Sequence, residues 1–353
     1  MRMIDTPGPI GVEDLKRAID RLPQVPLAHL PTPLEVCPRL TEALGGARVL
    51  IKRDDTTGLA FGGNKTRKFN FTLGEVRRRG ADCIITGAAS QSNHARQAAA
   101  FAAKAGLKAY LVLRRDLRSE LCGIQGNLLL DYLLGADVVL ITGDQGKAKR
   151  DLVEELQQQG KRPYLIDYYD ALLGVVAYAG CAVEIHEQLR ALGMSADYVV
   201  VASGSGTQAG LALGVKALGM GARVIGFRPS RWGTNGEVCG AVTGMANEAA
   251  ALIGLPTRLD PDEVENYDDY VGEAYGVVTE SGCEAIRVVA QTEGVLLDPV
   301  YVGKAMAGLI DFIGTGRIGG DKTVVFVHTG GTPALFAYRD ELVASGGYQI
   351  RVV

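Results

Sequence analysis

The chain has 353 residues, of which 47% are apolar and 22% are charged. This ordinary globular composition excludes wholesale disorder and allows two or three domains of about 100–200 residues each. The net charge is −3 without a large block of like charge, which disfavours a nucleic-acid or membrane-surface role.

Glycine is the outlier in the composition, because 46 residues is nearly double the usual ~7%. No G-X-Y period accompanies it, so the surplus predicts tight turns or backbone that approaches a ligand closely.

The N-terminus and the cysteines indicate a cytoplasmic protein. Residues 1–14 include three acidic side chains and no apolar stretch, unlike a signal peptide, and no apolar run approaches the ~18–20 residues that span a bilayer. Cysteines without a CxxC pair are typical of reduced thiols, and with four dispersed histidines we expect no zinc site. The six cysteines are Cys37, Cys83, Cys122, Cys181, Cys239 and Cys283.

Short apolar runs alternate with helical patterns along the chain. The predicted strands are 48–53, 83–86, 109–113, 138–142, 163–166, 198–201, 224–227 and 324–327, and helical patterns include 65–79, 94–105 and 208–218. Because the strand runs are continuously apolar, we expect parallel sheets covered on both faces, in an α/β fold that binds ligands at the carboxyl ends of its strands. The segment 230–269 has the weakest periodicity, and we expect a variable or mobile insertion there.

A paired-glycine loop, Gly62-Gly63-Asn64-Lys65, precedes the first of these helices. Asn64 is predicted to cap the helix, and the glycines allow close approach of the backbone to a ligand. The positive end of the helix dipole would lower the pKa of the Lys65 amine and favour its reactive neutral form. Lys68 follows one turn later on the same face. An exposed basic helix start explains this motif equally well.

Small polar residues follow the strand at 83–86 and lead into the next helix. Free N–H groups at such a helix start could bind a group of carboxylate size. A plain helix cap and a structural histidine are the simpler alternatives. The residues at this corner are Gln91, Ser92, Asn93 and His94.

A glycine-rich loop, Ser203-Gly204-Ser205-Gly206-Thr207, follows the strand at 198–201. Its amides and hydroxyls could cradle a phosphate at the start of a helix. The same spacing also fits the dinucleotide-binding pattern, so an NADP-dependent oxidoreductase is an alternative of another class.

Thr329, after the last strand, could bind a neutral heteroaromatic nitrogen or simply cap a helix. Pyridoxal phosphate requires a set of four groups of this kind. They are an amine at a helix start, a loop that binds phosphate, a helix start that binds a carboxylate, and a hydroxyl for the ring nitrogen.

On these residues the chain resembles the D-cysteine desulfhydrase / 1-aminocyclopropane-1-carboxylate deaminase family, within the tryptophan-synthase-β-like (fold type II) pyridoxal phosphate enzymes. The matching segments are Leu30-Pro31-Thr32-Pro33-Leu34-Glu35, Ile51-Lys52-Arg53-Asp54-Asp55, 62–68, 91–97, 207–211, Leu297-Asp298-Pro299-Val300-Tyr301 and 328–333. The resemblance implies two open, twisted, mostly parallel sheets flanked by helices. A large cofactor-binding domain would comprise residues 1–67 and 173–353, a small inserted α/β domain would comprise 68–172, and the protein would be a homodimer.

The resemblance also implies a role for each motif residue. Lys65 would hold the cofactor and move the Cα proton of the substrate, and Thr329 would meet the pyridine nitrogen. The cofactor phosphate and phenolic oxygen would be bound by Lys68, Ser203, Gly204, Ser205, Gly206, Thr207 and Asn93. The substrate carboxylate would be surrounded by Gln91, Ser92, Asn93 and His94, and further catalytic groups would be Ser92, Tyr275 and Tyr301.

Several positions bear on the substrate. Deaminases of this family place a glutamate directly after the second tyrosine. This chain has Val302 there and Thr329 as the available partner, as in the desulfhydrase branch, which implies a weaker electron sink suited to a good β-leaving group. The usual glycine- and serine-rich turn is replaced by a segment at 167–172, and the phosphate loop is one residue shorter. Asp167 or Asp170 could pair with an amine on the substrate, or this segment could repack away from the site. Arg228 and Arg231, if they reach the pocket, would favour an anionic side chain.

The sequence therefore predicts a pyridoxal phosphate lyase that eliminates a β-substituent, with D-cysteine converted to pyruvate, hydrogen sulfide and ammonia as the best single reaction. The alternatives are L-cysteate or another β-substituted alanine, an amine-bearing analogue, 1-aminocyclopropane-1-carboxylate deamination, the NADP-dependent oxidoreductase, and a pseudoenzyme that binds the cofactor without turnover.

Overall fold

Two sheets flanked by helices form the computed structural model, which describes residues 8–115 and 123–346. The six-stranded sheet has the order β1-β2-β10-β7-β8-β9, with β1 antiparallel to β2 and all other pairs parallel. The four-stranded sheet has the order β5-β4-β3-β6 and is parallel throughout. This confirms the predicted fold class.

The strands have the following bounds: β1 (Leu34–Val36), β2 (Arg48–Lys52), β3 (Cys83–Ala89), β4 (Lys108–Arg114), β5 (Asp137–Ile141), β6 (Pro163–Leu165), β7 (Tyr198–Ala202), β8 (Arg223–Phe227), β9 (Val264–Tyr267) and β10 (Thr323–Val327). The helices are α1 (Val12–Ile19), α2 (Pro38–Ala43), α3 (Lys65–Arg78), α4 (Asn93–Ala105), α5 (Gly126–Leu133), α6 (Gln145–Gln158), α7 (Tyr168–Ala191), α8 (Gly206–Ala217), α9 (Asn235–Leu252), α10 (Glu280–Glu293), α11 (Val302–Gly314), α12 (Ala334–Ala337) and α13 (Arg339–Ala344).

All eight predicted strands are present, and two short edge strands, β1 and β9, were not predicted. The expectation for 230–269 was wrong, because this segment forms the 18-residue helix α9 and contributes β9 to the large sheet. A Thr234/Glu237 capping box starts α9. Its many alanines and glycines blur the apolar period, and only the tertiary structure reveals which of its faces is covered.

Alternate residues of the central strands enter different cores. Val199 and Val325 belong to one apolar cluster and Val200 and Phe326 to the other, so the large sheet is covered on both faces. Double coverage is why the strands are continuously apolar in the sequence.

Helix α7 packs closely along α8. A Cβ atom added to Gly210 would lie 2.3 Å from the Val175 carbonyl oxygen, and one added to Gly214 would lie 2.5 Å from the Ala182 Cβ. Part of the glycine surplus therefore permits helix contact and does not face a ligand. Contrary to the sequence expectation, α7 is long and apolar enough to cross a membrane by length and composition, but 61% of that stretch is buried inside the fold, as in a core helix.

All four strands of the small sheet lie between residues 83 and 165, inside the predicted inserted domain; the domain boundaries themselves stay a prediction. Cys122 and residues 1–7 lie outside the described residues. The other five cysteines are unpaired, and in the part of the chain that the structure describes no group of three or more His, Cys, Asp or Glu side chains could hold a metal ion.

Candidate active site

Loops that follow β3, β7, β8 and β10 converge on a cavity of about 170 Å³. Both sheets therefore contribute to one site at the carboxyl ends of their strands, as expected for open α/β folds. The lining residues are Asn64, Lys65, Ser92, Asn93, His94, Ala202, Ser203, Gly204, Ser205, Thr207, Arg228, Pro229, Ser230, Trp232, Tyr301, Thr329 and Gly330.

Lys65 is the first residue of α3 and enters this cavity. Among the described residues it has no carboxylate within ion-pair distance, and burial lowers the pKa of its ammonium group. The direction matches the sequence prediction, and burial is the cause that the structure shows. An amine that loses its proton readily is suited to act as a nucleophile or a base.

A buried ion-pair network holds the helix that carries Lys65. The Arg67 guanidinium donates to Asp54 and to Glu184, each at 2.7 Å, and Lys52 pairs with Glu184 at 2.6 Å. Although burial raises the pKa of Asp54, the Arg67 charge lowers it below its usual range. The network joins α3 to β2 and α7, so the start of α3 has a defined position.

Lys68 does not line the main cavity but lines an adjoining one of about 160 Å³, together with Gly206 and the shared residues Lys65 and Thr207. Burial lowers the pKa of Lys68 to about 8. This second cavity thus combines a lysine with the N-terminus of α8, where the first helical N–H groups have no partner within the helix. Both features attract an anion.

The glycine-rich loop follows β7 as predicted. A Cβ atom on Gly204 would lie 2.8 Å from the Arg228 Cγ, so the arginine stem requires a glycine there. The Ser203 hydroxyl accepts from the Ser205 amide at 3.2 Å. The loop is therefore held open at the cavity by packing on one side and by its own hydrogen bond on the other.

Asn64 joins three loops of the site, a role that the sequence did not suggest. Its backbone N–H donates to the Thr329 carbonyl at 3.0 Å and its side-chain amide donates to the Thr207 hydroxyl at 3.1 Å. The predicted cap is wrong, since its side chain makes no capping hydrogen bond to α3. The partners lie 143 and 265 residues away along the chain, so no local pattern could reveal them.

The side chain of Asn93 has a defined orientation. Its Oδ1 atom accepts from the Arg96 guanidinium and from the Asn127 amide, both at 3.0 Å. This arrangement leaves the Nδ2–H donors of Asn93 available at the cavity. Arg96 and Asn127 were missed by the sequence analysis, because neither lines the cavity itself; both hold Asn93, and Arg96 also donates to the Gly62 carbonyl at 2.7 Å.

The remaining residues of the predicted carboxylate corner behave differently from one another. Ser92 caps α4 by accepting from the His94 and Ala95 amides, which leaves its own O–H to donate. Burial and the nearby Lys68 hold the pKa of His94 well below its usual value, so the imidazole is neutral. Gln91 is not brought to the cavity, because its side chain bonds the backbone of Gln125 and Asn127.

The two predicted tyrosines meet at the site. Their hydroxyl oxygens are 2.6 Å apart and their rings are nearly perpendicular. Tyr301 lines the cavity, whereas Tyr275 reaches it through this hydrogen bond. Burial, with a contribution from Tyr275, raises the pKa of Tyr301 well above its usual value, so its hydroxyl stays protonated.

Thr329 lines the cavity as predicted, and no carboxylate does so among the described residues. Val302 is fully buried at the start of α11. The Asp298 carboxylate accepts from the amides of residues 300, 301 and 302 and is thereby committed to capping that helix. Thr329 is therefore the hydroxyl-bearing residue that the loop after β10 contributes to the cavity, next to Gly330.

The structure also answers which charged residues reach the pocket. Asp167 and Asp170 form a capping box at the start of α7 and do not line the main cavity, so neither carboxylate is available to a ligand there, although Ala171 of the same segment lines the adjoining cavity. Arg231 is bonded to the Gly272 carbonyl instead. Arg228 does line the cavity.

Comparisons with known proteins agree with this geometry. The family model described as pyridoxal-phosphate dependent enzyme matches residues 25–330. The D-cysteine desulfhydrase of Klebsiella pneumoniae is 43% identical over 331 residues, which cover 92% of this chain and 98% of that protein. The D-cysteine desulfhydrase of Salmonella newport is 42% identical over 327 residues, with 91% and 97% covered.

Two solved structures are also similar. A crystal structure of an ACC deaminase homologue has a TM-score of 0.85 and 35% identity, and the match covers 94% of this chain and 99% of that one. Threonine deaminase isoform 2 from Solanum lycopersicum has a TM-score of 0.64 at 18% identity, with 98% of both chains covered, which indicates a shared fold.

Proposed function

Because the chain belongs to the family of pyridoxal-phosphate dependent enzymes, we propose that it is a lyase that converts D-cysteine to pyruvate, hydrogen sulfide and ammonia. The predicted family and cofactor are confirmed, and the oxidoreductase alternative falls away. The relatives named as D-cysteine desulfhydrases at 42–43% identity support the substrate. The observation that carries the reaction type is the position of the Lys65 amine. It lies in the same cavity as Tyr301, and no carboxylate of the described residues lines that cavity.

The residues present fit pyridoxal phosphate. Lys65 supplies the amine that would hold it, and the adjoining cavity with Lys68 and the start of α8 suits its phosphate. Asn93 has free N–H donors for the phenolic oxygen, and Thr329 has a hydroxyl for the ring nitrogen. Gly330, where a Cβ atom would lie 2.7 Å from the Gly63 Cα, keeps the two loops close at the cavity wall.

When bound, the cofactor supplies the electron sink for the charge that forms at the substrate Cα. The Lys65 amine takes the Cα proton, which its lowered pKa makes possible. The Ser92 hydroxyl donates to the substrate carboxylate. The protonated Tyr301 hydroxyl, held by Tyr275, donates a hydrogen bond to the departing sulfur.

The overall reaction balances with one water molecule. The Cα–H and Cβ–S bonds break, the sulfur leaves as hydrogen sulfide, and water hydrolyses the released enamine to pyruvate and ammonia. Val302 and Thr329 provide no carboxylate to keep a ring nitrogen protonated, which favours a thiolate leaving group over cyclopropane opening.

An absorbance spectrum with borohydride reduction tests the lysine. We expect a near-violet band that disappears on reduction in the wild type and in Lys104→Ala, an exposed lysine variant, and no such band in Lys65→Ala. A reducible band retained by Lys65→Ala would disprove the assignment of the amine.

Turnover of a substrate panel tests the reaction. D-cysteine should give stoichiometric keto acid and sulfide, while L-cysteate and 1-aminocyclopropane-1-carboxylate should give much less keto acid. Keto acid from D-cysteine no faster than in buffer would refute the substrate, and a silent panel with an intact chromophore would indicate a pseudoenzyme.

We further propose a cytoplasmic homodimer. The unpaired thiols of the five described cysteines suit a reducing compartment. An apolar groove of about 510 Å³ is lined by Leu296, Phe336 and Val343 among others, and Phe336 is 72% exposed. Such exposed apolar surface supports an interface between subunits. Light scattering should give the mass of a dimer for the wild-type holoenzyme and a lower mass for Phe336→Glu, and a wild-type monomer would refute the dimer.

A further inference from the structure

A loop at residues 228–234, between β8 and α9, forms one wall of the cavity. It contributes Arg228, Pro229, Ser230 and Trp232 to the lining. Trp232 is the single tryptophan of the chain and is 45% exposed. A large aromatic ring that is half in water at the mouth of a site has apolar surface left to bury against a ligand.

Arg228 holds this loop in place. Its buried guanidinium donates to the Trp232 carbonyl at 2.7 Å and to the Asn235 side chain at 2.6 Å, and it pairs with Asp268 at 2.7 Å. The position of the tryptophan backbone is thus set by a buried residue that directly follows strand β8 of the large sheet.

The same contacts remove the charge of Arg228 from substrate recognition. Its positive charge is balanced by Asp268, and its two terminal nitrogens are engaged by Trp232 and Asn235. Its buried Nε has no hydrogen-bond partner among the described residues. Lys65 and Arg228 are the lysine and arginine side chains that line the cavity in the described parts of the chain, and no aspartate or glutamate does so there. With Lys65 engaged by the cofactor, an ammonium on the substrate would find no carboxylate among the described lining residues, and a sulfonate would meet an arginine whose charge Asp268 already balances.

Resting on the proposed lyase function, we propose that Trp232 is a specificity-determining residue that packs against the β-substituent of the substrate and selects an uncharged one. A thiol suits this wall, because sulfur makes favourable contacts with aromatic rings. Arg228 acts as the positioning residue that presents the ring. An uncharged aromatic wall disfavours both cysteate and an amine-bearing analogue, two of the substrates that the sequence left open.

Kinetics of Trp232→Ala and Trp232→Phe holoenzymes test the role. Loss of a sulfur–aromatic contact is expected to lower kcat/KM for D-cysteine by about tenfold in Trp232→Ala, mainly through KM. Trp232→Phe keeps an aromatic face and should stay within about threefold of the wild type. The advantage of D-cysteine over D-cysteate should shrink in Trp232→Ala. An unchanged KM and an unchanged ratio would overturn the inference.

Fluorescence provides a readout that does not depend on turnover. Since Trp232 is the only tryptophan, its emission in the wild-type holoenzyme should change saturably with S-methyl-D-cysteine and far less with D-alanine, which lacks a β-substituent. Equal responses to the two amino acids would refute contact with the substituent. A wild type without D-cysteine turnover would refute the proposed function, whereas normal turnover with a tryptophan that does not respond would refute only the present inference.

Discussion

Gly330→Ala is the substitution that most directly tests how the two glycine-containing loops at the cavity are packed. Gly330 lines the cavity and has a φ of +91°, and its added Cβ atom would lie 2.7 Å from the Cα of Gly63. Gly316→Ala is the matched control, because Gly316 has a φ of +74° and nothing within 4 Å of the added atom.

The magnitude follows from separating two costs. Both variants place an L-residue in the left-handed region, which costs about 1–2 kcal/mol. Carbon atoms pack at about 3.5 Å or more, so in Gly330→Ala the facing loop must also retreat by about 0.8 Å. Because the obstacle is backbone, no rotamer change relieves it, and we expect overpacking to add about 1–3 kcal/mol.

Denaturant unfolding of the two cofactor-free variants, with the wild type as reference, measures this difference. Gly330→Ala should have a lower free energy of unfolding than Gly316→Ala by that additional amount. It should also bind pyridoxal phosphate at least about tenfold more weakly, since about 1.4 kcal/mol corresponds to a factor of ten. Equal stabilities and equal cofactor affinities of the two variants would refute the close packing of the loops.

Three further predictions concern charge and proton transfer. Burial lowers the pKa of Lys68 to about 8 from about 10.4 in the unfolded chain, so the unfolded state binds more protons between these values. The free energy of unfolding of the cofactor-free protein should therefore rise across this pH window, and by less in Lys68→Met. Arg67→Met, which breaks a buried pair, should cost about 3–5 kcal/mol in a urea titration, against at most about 1 kcal/mol for the exposed Arg78→Met. Tyr301→Phe should lower kcat by about 10²-fold or more, and adding Tyr275→Phe should cost little beyond that, because the two hydroxyls act as one unit; additive losses would contradict this.

Local and periodic features of this protein were readable without the fold. The strands are continuously apolar because they are buried on both faces. The strand-to-helix junctions are rich in glycine because the loops approach one another closely at the cavity. They placed Lys65, Thr329 and the phosphate loop at strand ends and helix starts, where the structure has them.

Only the tertiary structure decided which distant groups meet. Asn64 bonds residues from two other loops, and Asn93 is oriented by Asn127, a partner on another helix. These hydrogen bonds depend on how the two sheets lie against each other. They join residues far apart in the chain, so they produce no periodic pattern in the sequence.

The charged residues near the cavity also show what the sequence could predict and what only the tertiary structure could decide. Asp167 and Asp170 looked available to a ligand in the sequence, but a capping box consumes both. Arg228 looked like an anion site, but Asp268 neutralises it. The periodic pattern and the motifs thus predicted the fold class and the cofactor. Which charged side chains remain available in the cavity was decided only by the tertiary structure, because a buried ionic group can bind a ligand only if no other group of the fold already pairs with it.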